Sequence, residues 1–113
     1  MNQIEFLEKV KKIANKDTSF DPDNWTIENP LWGHCVIVSL LAQDYFGGTL
    51  VRGSLEKMPK LSHLRSHYWN RLENGEEIDF TREQFEEDIV FNDTEIRTRE
   101  SVLCSLSTQK RYL

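Results

Sequence analysis

Phe6, Leu7, Val10 and Ile13 recur at the three- and four-residue spacing of an amphipathic helix, behind an Asn2 able to cap it and a Glu5 three residues later. The pattern predicts a first helix running to about Asn15. From Lys16 to Leu31 the chain turns polar: Asp17, Ser19, Asp21-Pro22-Asp23-Asn24 and Asn29-Pro30 are loop-forming, interrupted by Phe20, Trp25 and Ile27. Loops beyond about 12 to 15 residues tend to be functional or disordered. The large aromatics Phe20 and Trp25 argue that this one packs onto the body of the domain. From Cys35 to Phe46 nearly every face is apolar, and Gly47-Gly48 supplies a stop. A helix of that kind belongs in the middle of a fold.

Beyond it, Thr49 to Leu55 reads as a strand, and Ser66 to Leu72 and Glu76 to Phe80 flank Glu73-Asn74-Gly75 as a hairpin. Thr81-Arg82-Glu83-Gln84 has the Thr-x-x-Gln form of a capping box and predicts a short helical turn ending near Phe85. Residues 86 to 97 are acidic and carry no clear period. Thr98 is placed to cap a last helix with Val102, Leu103, Leu106 and Leu113 facing inward. The expectation is one α+β domain over residues 1–113. Its central helix packs on a small antiparallel sheet of about three strands, with helices at both termini.

Composition narrows the function classes. The chain has 113 residues, of which 38% are hydrophobic and 29% charged, enough apolar material for a core. Its formal charge of -5 lacks the basic stripe that phosphate backbones require, so nucleic acid is not an expected partner. The longest apolar runs, Cys35 to Val38 and Leu40 to Ala42, fall far short of the roughly 20 residues that span a bilayer, so no membrane partner is expected. The start Met1-Asn2-Gln3-Ile4-Glu5 lacks a basic region followed by an apolar stretch, and a signal peptide is not indicated. Two distant cysteines, Cys35 and Cys104, make no disulfide framework. The expected setting is a reducing cytoplasm with both thiols free.

The chemistry centres on Cys35. A nucleophilic cysteine needs its thiolate stabilised, and the first turn of a helix does this with free N–H groups and the positive end of its dipole. Pro30 and Gly33 favour a helix that starts just before Cys35. A thiol nucleophile also needs a base, and His67 lies on one predicted hairpin strand with Asp79 on the next. Register decides whether these two meet, because a one-residue slip moves a side chain to the other face. With Asn74-Gly75 as a two-residue loop, Asn70 would pair with Asp79 and His67 would face away. With Glu73-Asn74-Gly75 as a three-residue loop and Gly75 left-handed, Trp69 pairs with Asp79 and Tyr68 with Phe80. His67, Trp69, Arg71, Glu77 and Asp79 then share a face, with His67 and Asp79 as diagonal neighbours. This register is preferred because it also gathers Tyr68, Ile78 and Phe80 on one apolar face.

Plainer readings stand beside each of these. A cysteine in an apolar helix is commonly a small core hydrophobe, and Cys104 reads as packing. Trp32 and Trp69, with Trp25, are candidates to line a substrate cleft, although large aromatics usually serve as core or cover. His34 and His63 read as surface or locally hydrogen-bonded. A metal site from His63 and His67, completed by Cys35 or Asp79, is a rival account. It lacks a Cys-x-x-Cys or His-Glu-x-x-His motif and would need His63 and His67 on one helix face. No cofactor is expected.

Gly33-His34-Cys35, Gly47-Gly48, His67-Tyr68-Trp69-Asn70 and Asp79-Phe80-Thr81-Arg82-Glu83-Gln84-Phe85 together resemble the YunG-like family of small bacterial and phage proteins. The resemblance covers about residues 25 to 112. It departs at His34, where the family pattern has Gln, and it implies no particular activity. At fold level the arrangement is similar to papain-like and transglutaminase-like cysteine enzymes, whose central helix opens with the cysteine and packs on a sheet bearing His and Asp or Asn. In papain-like enzymes an amide side chain six residues before the cysteine helps bind the oxyanion. That position here is Asn29. The expectation is a cysteine hydrolase or acyl transferase on amide, isopeptide or ester bonds, with a peptide or protein as candidate substrate. Cys35 attacks, His67 moves the proton, Asp79 orients His67 and Asn29 assists the oxyanion. The alternative is a non-catalytic protein-binding module on the same scaffold.

Overall fold

The computed structural model describes residues 2–85, 89, 91 and 93–103. The first helix, α1, covers Gln3–Ile13. Its start follows the expected capping logic: Asn2 Oδ1 accepts the Glu5 amide at 2.8 Å, and the Asn2 side-chain amide donates to Glu5 Oε1 at 3.1 Å. Residues 14–34 hold two short 3₁₀ turns, Lys16–Thr18 and Pro22–Asn24, and a bridge between Thr26 and Asn29. Helix α2, Cys35–Phe46, ends as the glycine pair requires, with Gly47 at φ +74° and its amide bonded to the Gln43 carbonyl at 3.0 Å.

Four antiparallel strands form the sheet: β1 Thr49–Ser54, β2 Ser66–Arg71, β3 Glu77–Ile78 and β4 Thr94–Arg97, in the order β3-β2-β1-β4. The fourth strand corrects the expectation of about three. It lies in the acidic stretch that showed no period, because Ile96 is its one apolar residue and even Ile96 is half exposed. The short helix α3, Arg99–Leu103, follows. Thr98 does cap it, accepting the Ser101 amide on Oγ1 at 3.2 Å. Cys104, Leu106 and Leu113 lie outside the described residues.

Hairpin register is settled by the β2–β3 ladder, which pairs Asn70 with Ile78 and Arg71 with Glu77. Leu72 and Glu76 close it at 2.7 Å around the three-residue loop 73–75, with Gly75 at φ +89°. That is the preferred three-residue register. The Thr81 capping box does not form. Thr81 makes no side-chain cap on the 3₁₀ turn Arg82–Gln84; its amide and hydroxyl turn back to Asp79 Oδ1, at 3.2 and 3.4 Å. A nearby carboxylate competes better for those donors than a Gln amide does.

The all-apolar character of α2 is explained by its surroundings. Ile37, Val38 and Ala42 pack with Phe6 and Val10 of α1, Leu31 and Phe80, while Leu40 packs with Leu50 of β1 and Val102 of α3. Burying one such Leu or Phe is worth about 1.5–3 kcal/mol. A third cluster, Leu55, Leu61, Leu64 and Phe85, with Trp32 and Phe91 against it, lies beside the helix start.

Candidate active site

Gly33 fixes where α2 begins. Its φ is +74°, and a Cβ there would come within 2.2 Å of Ser19 Oγ and 2.9 Å of the Phe20 nitrogen. Only glycine lets the preceding loop close this tightly. Phe20 N–H donates to the Gly33 carbonyl at 2.9 Å, and Ser19 Oγ donates to the Trp32 carbonyl at 2.7 Å. The His34 ring turns inward at 1% exposure, with Nε2 2.6 Å from Thr18 Oγ1 and Nδ1 2.8 Å from the Trp32 carbonyl. His34 is thus a buried, locally bonded residue rather than a surface one. Cys35 becomes the first residue of α2, partly exposed, at a cavity of about 170 Å³. Phe20, Val36, Tyr68, Gln84 and Phe85 line that cavity with it.

His67 on β2 is fully buried, and its Nε2 lies 2.6 Å from Asp79 Oδ2. Asp79 is held in turn by the two Thr81 donors on its other oxygen. Around the imidazole, Phe85 stands edge-on at 5.0 Å between ring centres, while Phe91 and Trp69 lie nearly parallel at 6.1 and 5.9 Å. Burial alone would push the imidazole pKa down. The hydrogen bond to Asp79 and the adjacent Cys35 sulfur outweigh it and raise the pKa from the ordinary 6.5 to about 9. Nδ1 has no hydrogen-bond partner of good geometry, so the sulfur acts on the ring without a well-aligned bond to it.

Cys35, His67 and Asp79 are therefore brought together, as their order along the chain suggested. Asn29 is not among the residues lining the cavity; its Nδ2 donates to the Gln84 carbonyl at 3.0 Å. Neither Trp32 nor Trp69 lines it either. Trp32 donates Nε1 to Asp21 at 3.1 Å and packs edge-on against Phe85. Trp69 stacks on Phe91 at 4.8 Å and donates to Glu77 at 2.6 Å, which covers one flank of His67. His63 is exposed and bonds Asp21 Oδ2 at 2.9 Å. Among the described residues no three His, Cys, Asp or Glu side chains are grouped to hold a metal ion.

Gln84 escaped the sequence reading. It is 2% exposed, lines the Cys35 cavity, and accepts the Gly33 amide on Oε1 at 3.0 Å. Its position in the Asp-x-Thr-x-x-Gln-Phe block marked it, but the capping-box spacing absorbed that signal.

A model of the YunG protein family matches residues 2–113, a span that takes in every residue of this site. The chain belongs to the YunG family. An uncharacterized protein YunG of Bacillus subtilis (strain 168) is 31% identical over 108 residues, covering 95% of this chain and 87% of that relative. No solved structure matches. Among the described residues of this YunG-family chain, no helix is long and apolar enough to cross a membrane.

Proposed function

We propose that this YunG-family chain is a cysteine hydrolase or acyl transferase on a minimal papain-like core, acting on amide, isopeptide or ester bonds of a peptide or protein. One observation carries the reading: Cys35, at the first residue of α2, lies against a buried His67 whose other ring nitrogen is 2.6 Å from Asp79. Burial alone would leave a neutral imidazole, whereas Asp79 and the Cys35 sulfur favour the protonated ring here. In the first half-reaction Sγ of Cys35 attacks the acyl carbon with its proton already held on His67. The tetrahedral intermediate collapses, His67 gives the proton to the leaving group, and a thioester remains. Water or an acceptor amine then attacks the thioester, His67 again moving the proton, and the thiol is restored. Asp79 keeps the ring oriented throughout. A free, reactive thiol suits the reducing cytoplasm we propose as its setting.

The complete burial of His67 among Phe85, Phe91 and Trp69 favours a second reading, in which the histidine serves packing on a non-catalytic binding module. His67→Ala separates the two. For an enzyme, iodoacetamide alkylation of Cys35 at pH 7 should fall by about 10²-fold or more, the scale of a lost general base. For a packing residue, alkylation should stay unchanged while the melting temperature drops. Intact-mass kinetics and a thermal melt on one preparation, with Cys35→Ala as the labelling control, read both.

A further inference from the structure

We propose that the Gln84 side-chain amide, with the backbone N–H of Cys35, forms the oxyanion-binding site of this enzyme. The inference rests on the acyl-transfer reading above and adds to it a catalytic residue. Buried polar groups are almost always hydrogen-bonded, and an exception calls for an explanation. Gln84 Nε2 is such an exception: buried, and without any hydrogen-bond partner. The orientation of the amide is not ambiguous, because the Gly33 N–H must face the oxygen, and Oε1 accepts it at 3.0 Å. The nitrogen end is therefore the free end, in a residue that lines the same cavity as Cys35.

The rest of the chain holds that donor in place. Asn29 Nδ2 donates to the Gln84 backbone carbonyl at 3.0 Å, and the Gln84 backbone N–H donates to the Thr81 carbonyl at 3.0 Å. Gly33, which Gln84 grips, is two residues before Cys35, so one hydrogen bond couples the donor to the start of α2. At that start, the Cys35 N–H precedes the first helical bond, Val38 N–H to the His34 carbonyl at 2.9 Å, and so points outward along the dipole. When Cys35 Sγ bonds to the acyl carbon, the carbonyl π pair moves onto oxygen. Two preorganised donors at that oxygen stabilise the transition state more than the substrate. Asn29 then becomes a positioning residue that acts through Gln84.

The test compares two reactions of the same thiol. Alkylation by iodoacetamide is a displacement at an sp³ carbon and forms no oxyanion; acylation by nitrophenyl acetate passes through a tetrahedral one. Gln84→Met removes the donor at similar length, and Gln84→Glu keeps an acceptor for Gly33 while removing the donor. The expected result is a fall of about 10²–10³-fold in the ratio of acylation to alkylation rate, the scale of one lost oxyanion donor. Circular dichroism identifies which variants fold, and either one alone decides. An unchanged ratio overturns the assignment of Gln84 while the acyl-transfer reading stands. A wild-type protein that alkylates at Cys35 but never acylates overturns both.

Discussion

At His67 two opposing effects meet, and their balance sets a pH dependence. Burial disfavours the charged ring, while Asp79 and the Cys35 sulfur favour it and prevail, raising the pKa to about 9 from an ordinary 6.5. The folded state thus binds the His67 proton more tightly than the unfolded chain does. This contribution to stability is fully present below pH 6.5 and is lost as pH rises through about 9. Melting temperature should fall by several degrees between pH 6.5 and 9.5, and the fall should be shallower in Asp79→Asn, which lacks the carboxylate whose hydrogen bond is the largest single raising influence. Identical slopes in melts across that range would show that Asp79 does not hold the proton. The grouping of Cys35, His67 and Asp79 was legible in the sequence because each occupies a position that local rules describe: a helix start and the two arms of a hairpin. Gln84 was not legible. Its partner at Gly33 is 51 residues away, and its spacing from Thr81 matches a local cap that the Asp79 carboxylate outcompetes.

Among elements, the hairpin carries the site's register and the loop before α2 carries its depth. Two glycines show how differently these are built. Gly75 sits at φ +89° with nothing within 4 Å of the place a Cβ would occupy, so Gly75→Ala bears only backbone strain, about 1–2 kcal/mol. Gly33 has a similar φ of +74°, but a Cβ there meets Ser19 Oγ and the Phe20 backbone. Gly33→Ala should therefore cost clearly more than Gly75→Ala in denaturant melts, and on the proposed mechanism it alone should also slow Cys35 acylation, since it moves the Gln84 contact. Equal losses would mean that the loop yields freely. Both hairpin strands were readable from alternation and turn chemistry, which are local. Strand β4 was not, because four residues with one apolar side chain carry no period, and their placement comes from pairing with β1.

For the molecule as a whole, the sequence conveyed that an apolar helix must be enclosed, and α1, the sheet and α3 do enclose it. What it could not convey was which distant segments close over the helix start, because contact between residues 29–33 and 84 leaves no trace in local periodicity. That same distance orders events as the chain folds. The bond between His67 and Asp79 spans 12 residues, whereas those joining Gly33 and Asn29 to Gln84 span 51 and 55. Closing the longest of these loops costs about 1.3 kcal/mol more chain entropy than the hairpin pairing, and isolated hairpins form in roughly 1–10 μs. The histidine and its carboxylate should thus be paired while the floor of the pocket is still open. Pulsed hydrogen exchange during refolding should protect the Leu72 amide, which closes the hairpin, before the Gly33 amide, which waits for Gln84. Simultaneous protection would refute that order. A chain caught between the two stages would hold the His67–Asp79 pair without the Gln84 contact, so on the mechanism proposed above catalytic competence is the last thing the fold acquires.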